Sequence, residues 1–378
     1  VMRTIIRVIQ LLVGILFILS GLVKANDPQG LGFKMQEFFE IWNADLATGG
    51  FFAKNALIGL FEFLHGHALF LSVVMITLEI MAGIALLLGW RKKFVLWLLM
   101  ILMVFFTFLT AYAYFATNPG GAPKFTNCGC FGDCLPLEPA TSFWKDVVLV
   151  VLIGVLIWGR KHLFTIFTVK RQHFILIISL ALSLILQWWV LNYLPLVDCL
   201  PFKKGNNLPE KMKPPKDAVP SEYETRMIYR NAATGEKKDM SLDEFNSSKI
   251  WEDASWKWDT TITKLIKKGN DIPEIQGFSL AGKAGDSTDA VLALPVAVLG
   301  FGMEGVGKGW LSDFKELKQI ADSRQIPVFF TTNNPVYFEK LFADNGVPMS
   351  VFSTDFTIIR TAARTNPAFY LLKNGTVV

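Results

Sequence analysis

Five long apolar stretches constrain this sequence more than any other feature. A helix needs roughly 20 apolar residues to cross a membrane core about 30 Å thick. We predict membrane spans at about residues 4–23, 68–90, 94–115, 146–159 and 174–196. The fourth is short, so we expect it to be extended on both sides, by Phe143 and Trp144 before it and by Leu163 and Phe164 after it.

Charge is distributed unevenly along the chain. The first 200 residues carry 14 Lys or Arg and 10 Asp or Glu, whereas the remaining 178 residues carry 23 Lys or Arg and 22 Asp or Glu. The first part is therefore membrane-like and the second resembles an ordinary polar domain. The net charge of +5 leaves no basic face to suggest nucleic-acid binding, so we expect membrane lipid and protein partners and no nucleic acid.

Basic residues in the short connections predict the orientation of the spans, because such residues favour the cytoplasmic side. They place the N-terminus in the cytoplasm, and the loops 25–67 and 116–145 on the outer face together with everything after Pro195. The long first stretch and the four that follow it argue against a cleaved signal peptide. The basic residues are Arg3, Arg7, Arg91, Lys92, Lys93, Arg160, Lys161, Lys170 and Arg171.

The outer loop 25–67 contains two Phe-rich runs, around Met35–Trp42 and Ala56–Leu64, that suit short helices lying in the membrane interface. Two interpretations remain open. The helices cap the bundle, or they frame a lateral entrance for a lipid-soluble ligand.

The polar part of the chain divides into three segments. Residues 1–200 form the bundle, the Pro-rich stretch 201–220 reads as a linker, and 221–271 contain a β-hairpin formed by Tyr223–Arg230 and Lys237–Phe245. Residues 272–378 alternate strands and helices and therefore predict an α/β layer domain. Its elements are a buried strand within 291–301, a helix at about 310–324, a strand at Pro327–Thr331, a helix at Val336–Asp344 and paired strands at the C-terminus.

All four cysteines fall on the predicted outer face. Cys128, Cys130 and Cys134 lie in the loop between the third and fourth spans, and Cys199 follows the fifth. An even set of cysteines in an oxidising compartment is expected to form disulfides. A bond within Cys-Gly-Cys closes a tight ring, so it is strained and easily reduced.

Three interpretations of the cysteines remain open. They form two structural disulfides, or an exchanging redox centre in which Cys134 resolves to Cys130 and Cys199 clamps the loop. The third interpretation is a metal or cluster site, for which His65 and His67 are the only histidines on that face. Our prediction assigns no metal.

Glu79 lies in the middle of the second span, where a carboxylate is costly unless it is paired or protonated. It is either an interhelical strut or a proton acceptor. Lys24 ends the first span near the outer surface, about half a bilayer from the expected depth of Glu79 unless the second span is displaced outward.

Residues 272–378 resemble the thioredoxin-like fold of the peroxiredoxin and TlpA type. Residues 272–280 resemble its opening strand, and residues 366–378, starting at Asn366-Pro367, resemble the segment that begins at its cis-proline. The resemblance implies a Cys-x-x-Cys pair after the first core strand, but residues 302–309 contain no cysteine, so the domain cannot exchange dithiols by itself. Pro367 is implied to be a structural cis-proline or a peptide-binding residue. The sequence stops before the helix that usually closes this fold, so we expect either that the protein continues past Val378 or that this helix is missing.

Residues 1–160 resemble the DoxX-like and MauE-like membrane proteins. That resemblance implies quinone-coupled oxidation, or an accessory role for a periplasmic, disulfide-rich dehydrogenase subunit. The motifs that carry it are Ser20–Lys24, Leu78–Gly83, Cys128–Gly132 and Ser142–Asp146.

We therefore predict a membrane α-helical bundle of five transmembrane helices with a periplasmic α/β thioredoxin-like domain, in a bacterial inner membrane. The predicted function is accessory to periplasmic thiol–disulfide or quinone-linked electron transfer. Cys128 and Cys130 would exchange with a client thiol, with Cys134 as the third cysteine, Glu79 handling the proton and Lys124 as the nearby cation. A quinone is one candidate for an otherwise unknown cofactor.

The rival hypothesis is a non-enzymatic scaffold or subunit of a cell-envelope complex, so we leave open whether the protein is an enzyme. In that case the thioredoxin-like domain binds a periplasmic or membrane protein partner.

Overall fold

The chain folds into a helical N-terminal part and an α/β C-terminal part. The computed structural model describes residues 1–48, 52–118, 124, 125, 134, 137–267, 269–305, 307, 309–347, 349 and 351–378. The helices of the N-terminal part are α1 (Met2–Ala25), α2 (Pro28–Thr48), α3 (Lys54–Gly66), α4 (Ala68–Leu88), α5 (Lys92–Phe115), α6 (Pro139–Trp158) and α7 (Val169–Asn192).

Five of these helices, α1, α4, α5, α6 and α7, are long and apolar enough to cross a membrane, which confirms the five predicted stretches. Helix α6 gains Phe143 and Trp144 but ends before Gly159, so it is extended on one side only. Helix α7 ends at Asn192 rather than at residue 196, because the residue before Pro195 disfavours helical geometry.

Small residues let α1 and α4 pack closely. A Cβ atom added at Gly83 would lie 2.8 Å from the carbonyl oxygen of Gly14, and one added at Gly21 would lie 2.5 Å from Ile80 Cγ1. Helices in lipid associate through such small-residue contacts, because the hydrophobic effect does not drive them together there. The glycines therefore fix the antiparallel register of α1 against α4.

Helices α2 and α3 contain the two helical stretches predicted for the first outer loop, but α2 is longer than expected. Gln36 Nε2 of α2 donates to the backbone oxygen of His65 at 3.3 Å, and the rings of Phe39 and Phe61 are stacked. The two helices therefore form a pair at one end of the bundle. We call this the domain end, because the C-terminal part also contacts α2.

The C-terminal part contains two sheets. Strands β1 (Glu222–Asn231), β2 (Lys237–Ser241) and β3 (Trp256–Lys267) form an antiparallel sheet in the order β2-β1-β3. The predicted hairpin corresponds to β1 and β2, but β2 ends at Ser241 because a capping box with Glu244 starts helix α9 (Leu242–Ser248). Strand β3 was not predicted.

The second sheet has seven strands in the order β10-β9-β6-β7-β8-β4-β5. Strand β6 is parallel to β7 and antiparallel to β9, and all five of its residues are buried. The predicted strand at 291–301 is therefore shorter, since Val291 and Leu292 belong to a helix before Pro295. The elements are β4 (Ala281–Gly282), β5 (Gly285–Asp286), α10 (Thr288–Leu292), β6 (Ala297–Phe301), α11 (Leu311–Ser323), β7 (Val328–Thr332), α12 (Pro335–Asp344), β8 (Val351–Ser353), α13 (Phe356–Ala362), β9 (Ala368–Lys373) and β10 (Thr376–Val377).

The stretch predicted as a linker is partly built into this sheet domain. Phe202 and Leu208 are each 1 % exposed and belong to its core. The Leu208 N–H donates to the backbone oxygen of Gly375 at 2.9 Å, and helix α8 (Leu208–Lys211) begins there. The chain after α7 is therefore fastened to the C-terminal domain from Phe202 onward.

We predict that Gly83→Ala destabilises the bundle, whereas Gly154→Ala does not. The new methyl group at residue 83 would overlap the backbone of α1, and overpacking of this kind costs about 1–3 kcal/mol. A Cβ at Gly154 meets no atom within 4 Å, so alanine there brings only its higher helix propensity. Thermal unfolding in detergent measures both, and equal midpoints would contradict the proposed α1–α4 register.

Candidate functional site

A cavity lies inside the bundle near the domain end. It has a volume of about 90 Å³, enough for several water molecules. Apolar side chains form most of its wall, but two buried carboxylates and two lysines from the spans also line it. Its lining residues are Leu16, Phe17, Ser20, Lys24, Leu31, Lys34, Met35, Phe38, Glu79, Met103, Phe106, Leu109, Lys145, Asp146 and Leu149.

Glu79 forms an ion pair with Lys24 in this cavity. Lys24 Nζ lies 2.7 Å from Glu79 Oε1 and 2.8 Å from Oε2, and the Ser20 hydroxyl donates to Oε1 at 3.1 Å. The two charged side chains are only 4 % and 5 % exposed. The ammonium also lies 4.7 Å from the centroid of the Phe106 ring. Among the residues that the structure describes, the hydrogen bonds to the Glu79 carboxylate come from α1.

Lys24 reaches Glu79 because α1 and α4 are staggered along the bundle, so the outward displacement of the second span, the exception considered above, is the arrangement present. Gly21 packs against Ile80, which places the last turn of α1 beside the middle of α4. Helix α4 begins eleven residues before Glu79, so its start lies about 16 Å beyond that carboxylate at 1.5 Å per residue. Helix α2 covers this extra length, with Gly32 packed on Leu69.

A second charged pair lies across the cavity. The Asp146 carboxylate on α6 is 2 % exposed, accepts from the Thr110 hydroxyl at 3.1 Å and lies 2.8 Å from Lys145 Nζ. Sequence reasoning did not assign a role to these residues. Both residues belong to the motif Ser142–Asp146, which carries part of the family resemblance.

Burial of these groups carries a free-energy cost. Moving a charge out of water costs several kcal/mol, which a partner recovers only when the geometry is good and the remaining hydrogen bonds are satisfied. Ionisable residues inside membrane spans therefore mark functional sites by default. Five charged side chains around one cavity, Lys34 of α2 among them, make it the strongest candidate site in the described part of the chain.

The loop that carries three of the cysteines begins beside this cavity. Phe125 is 1 % exposed, and its ring stacks on the ring of Phe38 with centroids 4.4 Å apart. Phe38 in turn lines the cavity. Lys124 pairs with Asp45 of α2, and the Tyr112 hydroxyl also donates to Asp45. The start of the loop is therefore attached to α2, and the ring of Phe38 lies between Phe125 and the cavity.

Two of the four cysteines lie in the described part of the chain. Cys134 and Cys199 form a disulfide with a Cα–Cα distance of 5.0 Å. Beside it, the side chain of Asn26 holds the chain after α7, donating to the Val197 oxygen at 2.8 Å and accepting from the Val197 N–H at 3.0 Å. Cys128 and Cys130 lie outside the described residues, so their predicted exchange stays a prediction.

The remaining predicted site residues lie elsewhere. His65 Nε2 lies 2.9 Å from Glu40 Oε1, and His67 Nδ1 lies 2.8 Å from the Phe63 oxygen. Among the residues the structure describes, no cluster of three metal-ligating side chains occurs. The Asn366–Pro367 peptide bond is cis, and the Asn366 amide group bonds to the backbone of Met303.

Comparison with known proteins gives a family match for the part of the chain that contains the first four of the five spans. Residues 2–159 match the family model described as "Methylamine utilisation protein MauE". This segment contains α1 to α6 and every residue that lines the cavity. No curated protein and no solved structure matches the chain significantly. The protein is thus a membrane protein with a MauE-like helical segment and a separate α/β region.

We predict that Lys24→Met destabilises the protein more than the double change Lys24→Met/Glu79→Met. The single variant leaves an unpaired buried carboxylate, a loss of about 3–5 kcal/mol, whereas removal of both charges is close to neutral for many buried pairs. Unfolding midpoints of the two variants in detergent measure the difference. If the double variant were the less stable of the two, the pair would contribute net stability and the functional interpretation of its charges would weaken.

Asp45 gives a pH-dependent prediction. Hydrogen bonds from Lys124 and then from Tyr112 lower the pKa of Asp45 below its ordinary value. A lowered folded-state pKa gives stability that is present above the unfolded value of about 3.9 and is lost as the pH falls through the folded pKa. We expect the parent to be more stable than Asp45→Asn by a constant margin from pH 7 to pH 5. The margin should shrink only below about pH 4, and an earlier loss would contradict the Asp45–Lys124 contact.

Proposed function

We propose that this protein is a membrane accessory factor for thiol–disulfide or quinone-linked electron transfer, with the cavity as the site of a lipid-soluble electron acceptor. The observation that carries the proposal is the presence of two ion pairs around one cavity with a mainly apolar wall: Lys24–Glu79, in which both side chains are buried, and Lys145–Asp146, in which only the carboxylate is buried. The family match supports an accessory role in the membrane.

The polar groups of the cavity suit a quinone, but its volume of about 90 Å³ is below the roughly 150 Å³ of a cavity that holds benzene, so the cavity must widen when a quinone ring enters. Its apolar wall suits a ring, while ammonium groups can donate hydrogen bonds to carbonyl oxygens and carboxylates can carry protons. Lys24 and Glu79 would hold one end and Lys145 and Asp146 the other. A bound quinone would accept the two electrons and two protons that are released when two thiols form a disulfide.

The residues of the chain supply the proton steps in this proposal. Oxidation of the Cys128 and Cys130 thiols to one disulfide would release two electrons and two protons to the acceptor. A client dithiol would then reduce that disulfide by exchange, which leaves the client with a disulfide and Cys128 and Cys130 as thiols again. In this proposal Glu79 takes up a proton that the thiols release. Ser20 and Thr110 keep the two carboxylates oriented by donating to them at 3.1 Å.

The proposed location is a bacterial inner membrane, with the N-terminus in the cytoplasm and the C-terminal domain in the periplasm. The basic residues between α4 and α5 and those after α6 lie at the end of the bundle opposite the C-terminal domain, which supports this orientation. The Cys134–Cys199 disulfide at the domain end also supports an oxidising compartment on that side.

We also propose that the C-terminal domain is thioredoxin-like. Strand β6 lies between parallel β7 and antiparallel β9, and Pro367 directly precedes β9, an order that supports the resemblance drawn from residues 272–280 and 366–378. Because residues 302–309 contain no cysteine, the thiols of the proposed reaction belong to the membrane segment.

We predict that Glu79→Gln slows oxidation of the loop thiols by a soluble short-chain quinone about a hundredfold, the typical contribution of a positioned acid or base. Membranes are reduced mildly, quinone is added, and free thiols at Cys128 and Cys130 are trapped over time. Cys128→Ser should abolish disulfide formation at the pair.

The matched control is Glu62→Gln, which changes an exposed glutamate on α3. The loop thiols of this variant should be oxidised at the parent rate. If the added quinone does not accelerate oxidation in the parent, or if Glu79→Gln behaves like Glu62→Gln, the electron-transfer role of the cavity is refuted.

The second candidate function is a non-enzymatic scaffold in a cell-envelope complex. The absence of cysteine from residues 302–309 favours it, since a domain that does not react can still bind a protein. Purification from native membranes distinguishes the two: the scaffold predicts a stoichiometric partner that persists after Cys128 and Cys130 are replaced by serine. Loss of the partner together with the thiols would favour the redox function.

A further inference from the structure

Helix α2 has two functional faces. One face lines the cavity, and the opposite face contacts helix α13 of the C-terminal domain. At 100° per residue the two sets of side chains lie on opposite sides of the helix. The cavity side consists of Leu31, Lys34, Met35 and Phe38, and the domain side consists of Phe33, Gln36 and Glu40.

Two arginines of the C-terminal domain hold the domain side of α2. Arg360 Nη2 donates to Gln36 Oε1 at 3.2 Å and lies 3.6 Å from Glu40 Oε1. Its guanidinium lies 5.1 Å from the centroid of the Phe33 ring, within the range of a cation–π contact. A single side chain of α13 thus contacts two successive turns of α2.

The second arginine fastens the start of α2. Arg364 Nε lies 3.3 Å from Asp27 Oδ2, and the two side chains are 7 % and 12 % exposed. The other oxygen of Asp27 accepts from the Gly30 N–H at 2.9 Å and so caps the first turn of α2. A Cβ at Gly30 would lie 2.4 Å from Asp27 Oδ2 and 3.1 Å from Arg364 Nη1. Only glycine leaves room for this junction.

We propose that the C-terminal domain controls access to the cavity by holding α2 over it through Arg360 and Arg364. Ion pairs shielded from water are stronger than exposed ones, and arginine suits planar contacts with carboxylates and rings. The inference rests on the proposed function only for the identity of the molecule that enters.

The test measures access to the cavity directly. Met103 lies in the wall and is 3 % exposed, so Met103→Cys places a thiol there in a full-length chain that also carries Cys128→Ser and Cys130→Ser. The probe is methyl methanethiosulfonate, a small neutral thiol reagent. We expect the double change Arg360→Gln/Arg364→Gln to raise its modification rate about tenfold, equivalent to about 1.4 kcal/mol in the opening equilibrium.

Three further variants separate opening from unfolding. Arg360→Lys/Arg364→Lys keeps both charges and should stay closer to the parent rate. Gly30→Ala should also raise the rate, and since alanine favours helix, that rise cannot come from unwinding of α2. Arg324→Gln, which changes an exposed arginine of the same domain, should leave the rate unchanged.

Equal modification rates in the parent, the double glutamine variant and Gly30→Ala would overturn the proposal. The reagent needs no electron acceptor or client, so failure of the proposed electron transfer would leave this measurement unaffected.

Discussion

The buried ion pair between Lys24 and Glu79 is the interaction on which the rest of the membrane segment depends. Neither charge tolerates an apolar environment alone, so α1 and α4 must keep the stagger that joins them at 2.7 Å. Glycines at positions 14, 21 and 83 allow that stagger by letting the two backbones approach. The stagger leaves the first turns of α4 without α1 as a neighbour, and α2 fills that place. The position of the cavity under α2 follows from the same constraint.

The C-terminal domain is connected to the cavity by contacts as well as by the chain. Arg360 of its helix α13 contacts α2, and Arg364, which follows that helix, pairs with Asp27 at the start of α2. The disulfide between Cys134 and Cys199 and the bonds from Asn26 to Val197 fix the chain that leads into the domain. The loop that carries Cys128 and Cys130 starts at Lys124 and Phe125, which are also attached to α2. A single helix therefore touches the cavity, the start of the cysteine loop and the C-terminal domain.

The sequence predicts the elements of this fold better than their spatial relations. Hydropathy identifies the spans, because a membrane requires a run of apolar residues whatever the neighbours are. Glu79 stands out as a charge inside such a run, whereas Asp146 escapes notice because it lies near the start of α6, where charges are common. The pairing of Lys24 with Glu79 depends on the stagger of two helices, which hydropathy does not encode. Similarly, β3 and the docking of Phe202 arise from tertiary contacts rather than from a local pattern.

The central claim is that the charged cavity binds a lipid-soluble electron acceptor, and the most direct test is the content of the purified protein. Protein extracted from its native membranes in mild detergent is denatured in organic solvent, and the released lipids are measured by mass spectrometry. The account predicts a quinone in stoichiometric amount in the parent and its loss from Leu149→Trp, because Leu149 is a buried residue of the cavity wall and the larger side chain would fill the cavity. Absence of quinone from the parent, or an equal amount in Leu149→Trp, would contradict it.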